Sequence, residues 1–428
     1  MLRSARPNLS PATTLKVEKY TFGVGDRFAH QGQAQLRAFL RAREVGIDVY
    51  PVWNKSHREH LMIGSKPGDV RAEADAAITA LRWQGKYYVD ADHIGLKTVD
   101  AFIEASDFYT VDVADFTGKP ADPDAIEGLV KETRPYAGSL SIPGIDRPLE
   151  VSKEDLHSAA RKFLLAVQEA SRIYRYIETK KGRDNFVTEI SIDETDAPQS
   201  PVELFLILAM IAREGIPVQT IAPKFTGRFN KGVDYAGDLA QFEKEFAEDL
   251  SVIAFAVREF GLPETLKLSV HSGSDKFSLY PIINRLIKKH DAGLHLKTAG
   301  TTWLEEVAGL AESDREGLLI AKEIYSRCFE RSAELIAPYR TVTDIDQSKL
   351  PNPKVVAGWS STEYVSALQH GRSGPEYNPH LRQLLHVGFK IAAEMGERFR
   401  DALKANEPTI SRNVTANLFG YHLLPIFA

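Results

Sequence analysis

Short runs of β-branched and aromatic apolar residues recur along the chain up to Thr298, with segments of helical period between most of them. They lie near Thr21–Gly25, Ile47–Trp53, Tyr87–Ala91, Phe108–Val113, Val187–Ile192, Val218–Pro223, Lys267–His271 and Leu294–Thr298. Strands that alternate with helices predict parallel pairing. Eight of them predict a closed (β/α)8 barrel of TIM type rather than an open sheet. The helix after the fifth run carries the clearest local signals. Ser200 can cap it, Pro201 suits its first turn, Glu203 completes a capping box, and Gly215 suits its end.

Two regions exceed a minimal barrel. Between Ala114 and Phe186 lies a long insertion after the fourth strand, rich in Pro, Gly and Asp at first and then helical from about Lys153 to Thr179. A segment of this length near strand ends is often a lid or cap. Past Thr298 about 130 residues remain, with helices predicted near Thr302–Leu310, Asp314–Ile336 and His380–Ala405, and a loop-like stretch over Thr341–Asn378. The expected organisation is a barrel over residues 1–300, including the 114–186 insertion, and a helical extension over 301–428 packed on it.

In a parallel barrel the active site lies at the carboxyl ends of the strands, and alternation decides which side chains face inward. The third strand ends in Asp90-Ala91-Asp92-His93, which turns Asp90 and Asp92 inward and leaves His93 at the mouth. The fifth turns Glu189, Ser191 and Asp193 inward, with Glu194 at the rim. The seventh points His271 inward, the eighth His295 and Lys297, and the first ends in Gly25-Asp26-Arg27. So many ionisable groups in one small volume are costly to bury unpaired. A divalent metal ion with a polar substrate explains them better, and histidine with carboxylate or amide oxygen suits zinc, nickel, cobalt or manganese. Plainer roles stand beside this one. Asp238 reads as a helix cap, His295 as a hydrogen-bonded core histidine, and Lys297 as a counter-charge to interior acids. Gly23-Val24-Gly25 begins like a dinucleotide fingerprint but lacks its third glycine, so no NAD is expected.

Composition narrows the partners. The chain has 53 Lys and Arg against 58 Asp and Glu, a formal charge of -5, so no basic excess argues for nucleic acid. The longest apolar stretch, Leu204–Ala212, is far short of the roughly 20 residues that span a bilayer. The single cysteine, Cys328, fits a reducing compartment, and Met1–Pro11 lacks the apolar core of a signal peptide. A cytoplasmic protein acting on a small molecule is expected, and the sequence leaves its oligomeric state open.

Several blocks resemble a known family. They are Asp90–His93, Asp193-Glu194-Thr195 with Ser200-Pro201, Asp234-Tyr235 with Gly237–Glu243, the octapeptide His271–Ser278, Lys297–Thr301, and Arg382–Val387. Together they look like the motif blocks of bacterial tagaturonate epimerases, in family order over most of the chain, although the chain is shorter at its amino end than such relatives. The resemblance implies a metal-dependent epimerase that interconverts D-tagaturonate and D-fructuronate, with related enzymes acting on tagatose and fructose. It maps an acid/base pair onto Asp92 and Glu194 and a divalent ion onto His93 and His271, with Gln241 as third ligand and Asp193 as its rival. Lys276, Lys297 or Arg27 would hold the substrate carboxylate.

The carbon inverted lies two bonds from the ketone, so its hydrogen is not acidified by the carbonyl. Retro-aldol cleavage and rejoining is the expected route. A Schiff-base aldolase using Lys297 and a non-catalytic sugar-binding barrel are the alternatives.

Overall fold

The computed structural model describes residues 15–298, 300–370 and 377–428. Met1–Pro11 and Ala299 of the Lys297–Thr301 block lie outside them. Eight parallel strands close into one barrel: β1 (Tyr20–Val24), β2 (Tyr50–Ser56), β3 (Tyr88–Ile94), β4 (Phe108–Asp112), β5 (Val187–Ser191), β6 (Thr220–Ala222), β7 (Lys267–His271) and β8 (Leu294–Lys297). Each pairs with its sequence neighbours, and β8 closes on β1 with Lys297 opposite Gly23. The closed TIM-type barrel expected from the eight apolar runs is the observed fold.

Helices surround the strands, but the pattern is not uniform. Between β3 and β4 only the 3-10 turn Val99–Ala101 is found. The 114–186 segment holds the helix Pro123–Thr133, a two-stranded antiparallel hairpin (Gly138–Leu140 with Leu149–Val151) and the 29-residue helix Lys153–Lys181. That long helix packs against β4 and the helix Pro201–Arg213, so it is the crossover between β4 and β5 rather than a lid. The helix Pro201–Arg213 forms as its signals predict. Glu203 N–H donates to Ser200 Oγ (3.2 Å) and Ser200 N–H to Glu203 Oε2 (2.9 Å), a cap of the kind worth about 1 kcal/mol. Leu204 to Ile211 are all buried, because helices Lys153–Lys181 and Leu239–Phe260 cover this one on both sides. No described helix is long and apolar enough to cross a membrane.

The carboxyl-terminal region is more broken than its pattern suggests. The helix expected over His380–Ala405 is three: Pro379–Val387, Phe389–Glu394 and Glu397–Ala405. Gly388 and Gly396 mark the breaks. A Cβ on Gly388 would stand 2.3 Å from Cys328 Sγ, and Gly396 has a φ of 63°. The stretch Thr341–Asn378 contains the helices Pro353–Ala357 and Ser361–Leu368, the second closed by a Ser360–Glu363 capping box. A further helix, Glu407–Asn417, packs on Gly32–Glu44 and Thr301–Ser313, the helices flanking β1 and β8 in sequence. The apolar core runs without a break from the barrel's outer face into this region.

Candidate active site

Every second residue of each strand lines the barrel interior. Its lowest layer is apolar, built from Val52, Tyr88, Phe108 and Val187 over Val17. Two positions further along, the interior turns polar. Asp90, Thr110 and Glu189 meet Lys297 there, and all are buried. Lys297 Nζ lies 2.7 Å from Asp90 Oδ2, 3.0 Å from Glu189 Oε1 and 3.1 Å from Asp92 Oδ1, and it also donates to Thr110 Oγ1. Gly23 makes room for this lysine, since a Cβ there would stand 2.9 Å from Lys297 Cγ and 2.8 Å from Asn54 Nδ2. The glycine is needed for close packing inside the barrel.

The charges around Lys297 set one another. Burial disfavours its ammonium, but Asp90, Glu189 and Asp92 outweigh that and hold its pKa well above the ordinary value. Burial pushes Asp90 up to about 6 against the pull of Lys297. Burial acts on Glu189 in the same sense, yet Lys297 and His271 together keep it well below the usual carboxylate range. His295, one turn of the pleat below, is the core histidine of the plainer reading. Its Nδ1 is 2.9 Å from Thr21 Oγ1, and burial pushes it down to about 3.

Above this layer three side chains converge at the mouth. His93, Asp193 and His271 each offer a ligand atom, and these atoms lie within 4.8 Å of one another. Strict alternation would turn His93 outward with Val89 and Ala91. The β3–β4 register shifts between Ala91 and Ile94, and His93 takes a φ of 54°. Bulges of this kind re-aim side chains beside active sites, and here the bulge brings the His93 ring within 5.0 Å of His271, centroid to centroid. A left-handed histidine is strained unless its surroundings hold it. Asp92 does so, with Oδ1 2.9 Å from His93 Nδ1.

These residues fit a divalent transition ion. His271 Nδ1 is buried and 3.1 Å from Asp193 Oδ2, an ion-pair contact, and among the described residues it makes no aligned hydrogen bond. His271 Nε2 sits 2.8 Å from Glu189 Oε1, the carboxylate behind the ligating ring that usually fixes its orientation. The cluster attracts positive charge. Although burial opposes it, Asp193 lifts His271 to about 9, and Asp92 and Asp193 raise His93. Burial raises Asp193 while the two histidines bring it well below its ordinary value. Imidazole with carboxylate is the donor set expected for zinc, nickel, cobalt or manganese.

The other residues singled out in the sequence are distributed differently. Asp92 bridges the two layers through His93 and Lys297, and these outweigh burial to hold it as a carboxylate. Glu194 is exposed at the rim, within electrostatic reach of Asp112 and Lys231. Gln241 lies exposed in the first turn of Leu239–Phe260, capped by Asp238, and its amide donates to Glu245 Oε1 at 2.8 Å. His93, Asp193 and His271 stand together, whereas the Gln241 amide is engaged by Glu245. Arg27 is buried against Glu59, Nη1 to Oε1 2.8 Å. Lys276 donates to the backbone carbonyls of Asn230 (3.0 Å), Val233 (2.8 Å) and Asp275 (3.2 Å), and burial pushes its pKa down to about 7. Sequence reasoning gave Glu189 no role and passed over Lys231. Lys231 stands in a polar, glycine-bearing loop after β6, the same signal that singles out the loop after β7.

The sequence profile of the tagaturonate epimerases matches residues 1–406. The chain belongs to the tagaturonate epimerase family. It is 29% identical to the tagaturonate/fructuronate epimerase of Thermotoga maritima over 98% of this chain and 82% of that protein. Crystal structures of the fructuronate-tagaturonate epimerase of Cohnella laeviribosi superpose closely. The native form matches with a TM-score of 0.76 at 25% identity, covering 97% of this chain and 82% of that one. A glycerol complex matches with a TM-score of 0.79 at 24% identity and the same coverage. Membership of this epimerase family makes the protein an isomerase.

Proposed function

We propose that this protein is a divalent-metal-dependent epimerase that interconverts D-tagaturonate and D-fructuronate at C4, with D-tagatose and D-fructose as neutral counterparts, by retro-aldol cleavage and rejoining. The observation that carries this reading is the convergence of His93, Asp193 and His271 directly above the Lys297 charge network, in a chain of the tagaturonate epimerase family.

His93, Asp193 and His271 would hold the ion, which when bound supplies Lewis-acid polarisation of the ketone and its neighbouring hydroxyl. The chain's own groups handle the protons. Asp92 rests as a carboxylate, the form that accepts the proton of the C4 hydroxyl. As that proton leaves, the C3–C4 bond breaks, its electrons pass to the C2 carbonyl as an enediolate, and C4 becomes an aldehyde. The aldehyde presents its other face, the bond re-forms, and Glu194, entering as the carboxylic acid, gives its proton to the new C4 oxygen. After release, exchange of the exposed Glu194 with water and loss of the proton from Asp92 reset the pair. Lys297, buried and hydrogen-bonded to Asp92, steadies the negative charge that moves through this corner.

The same network argues against a Schiff-base aldolase. A nucleophilic amine must be neutral, and Lys297 is held as an ammonium by Asp90, Glu189 and Asp92. The test is an NMR time course of protein stripped of metal, then resupplied with single divalent ions, against D-tagaturonate and separately D-tagatose. Metal-restored appearance of D-fructuronate is expected. Full activity in a preparation free of metal by elemental analysis would remove the metal from this reading.

A further inference from the structure

The three cations expected to bind a substrate carboxylate are engaged elsewhere. Arg27 pairs with Glu59, Lys276 is ringed by backbone carbonyls, and Lys297 serves three interior acids. An anionic substrate calls for a cation, since charge-assisted hydrogen bonds are the strong ones. Lys231 is available. Among the described residues its ammonium has no hydrogen bond or ion pair. It lies 5.6 Å from the centre of the Tyr339 ring, which Arg58 also stacks against at 4.9 Å. Lys231 Cγ comes within 3.9 Å of where a Cβ on Gly273 would stand, and Gly273 is two residues beyond His271. The lysine therefore borders the loop that carries a proposed metal ligand, within electrostatic reach of Glu194.

A second observation points to the same corner. His386 is 1% exposed, yet among the described residues neither ring nitrogen has a hydrogen-bond partner. It is wedged between glycines. A Cβ on Gly232, the residue after Lys231, would stand 3.3 Å from His386 Cβ, and one on Gly300 would stand 2.3 Å from His386 Nε2. Burial first, then Lys231 and Arg27, keep this imidazole neutral. A buried imidazole and an ammonium within electrostatic reach of it, neither with a hydrogen-bond partner among the described residues, are costly unless an anion meets both.

Resting on the epimerase reading, we propose that Lys231, with His386 as its neutral hydrogen-bonding partner, binds the carboxylate of the keto-uronate and so selects sugar acids over neutral ketoses. Burial draws the Lys231 pKa down, and an arriving carboxylate would raise it again. Steady-state kinetics on D-tagaturonate, with bound metal measured on each preparation, tests this. Lys231→Met should raise KM on the order of 10–100-fold, the loss expected for one charge-assisted contact, while kcat changes little and metal content stays at the wild-type level. Lys231→Arg should recover most of the affinity. His386→Leu should raise KM in the same direction, and His386→Gln less. Lys231→Gln, which keeps the stem and a polar end, carries the measurement if Lys231→Met does not fold. A KM within about twofold of wild type, or a fall in kcat alone, overturns the assignment. A wild-type enzyme inert toward D-tagaturonate overturns the epimerase reading itself, which the variants then cannot rescue.

Discussion

Glu189 presents one carboxylate oxygen to two cationic groups at once: Oε1 lies 3.0 Å from Lys297 Nζ and 2.8 Å from His271 Nε2. It couples the buried charge layer to the mouth of the barrel. Its other oxygen accepts from Thr220 at 2.7 Å, so both carboxylate oxygens are engaged.

Glu189→Gln should therefore weaken both layers. Removing one partner of a buried ion pair commonly costs about 3–5 kcal/mol, and loss of the carboxylate behind a ligating histidine costs roughly 10–100-fold in metal affinity. Thermal melts with and without added divalent ion, together with a metal titration, would register both. A variant with wild-type melting and metal affinity would show that the coupling is unimportant.

His271→Ala should lose metal far more than it loses fold. The outward faces of its strand, Leu268 and Val270, are untouched and stay buried in the outer core. Circular dichroism should remain near wild type while bound metal drops by about tenfold or more. Stoichiometric metal at unchanged affinity would return His271 to a purely structural role.

If retro-aldol cleavage is the route, the hydrogen on C4 stays with its carbon throughout. Deuterium placed there should appear intact in the product in ordinary water, with only a small secondary isotope effect on rate. Asp92→Asn and Glu194→Gln should each lower turnover on the order of 10²–10⁴-fold, as expected of lost acid/base groups. Substantial washout of the label during turnover excludes cleavage and rejoining.

Acid stability should depend on Asp275. Its carboxylate is buried, 2.5 Å from Arg382 Nη2, with His370 and His422 each 3.4 Å away. Burial acts to raise its pKa, but Arg382 and the two histidines bring it well below the ordinary value. The folded value is depressed, so the unfolded chain binds the extra proton first. Its stabilisation is complete above the unfolded value of about 3.9 and drains as pH falls toward the folded one. Asp275→Asn should lower stability near neutrality and flatten the acid limb of a denaturant-midpoint-against-pH curve. An acid limb as steep as wild type would place that dependence on other carboxylates.

The chain's own pattern determined the barrel and much of its lining. Strand runs are local, and alternation within a strand is fixed by the pleat, so Asp90, Asp92, Glu189, His271 and Lys297 could be turned inward from the sequence. The Ser200 cap was legible for the same reason, because its partner stands three residues away. Which of these groups meet was decided only by the tertiary structure. Lys297 and Asp92 are 205 positions apart, and only barrel closure brings them into contact. The bulge that turns His93 toward Asp193 arises from a register shift between two strands, which neither strand encodes by itself. Lys276 and Lys231 look alike in sequence, but one is saturated by backbone carbonyls, while the other's ammonium meets only an aromatic ring among the described residues. A charge's availability depends on its three-dimensional neighbours, and pattern along the chain carries no record of them.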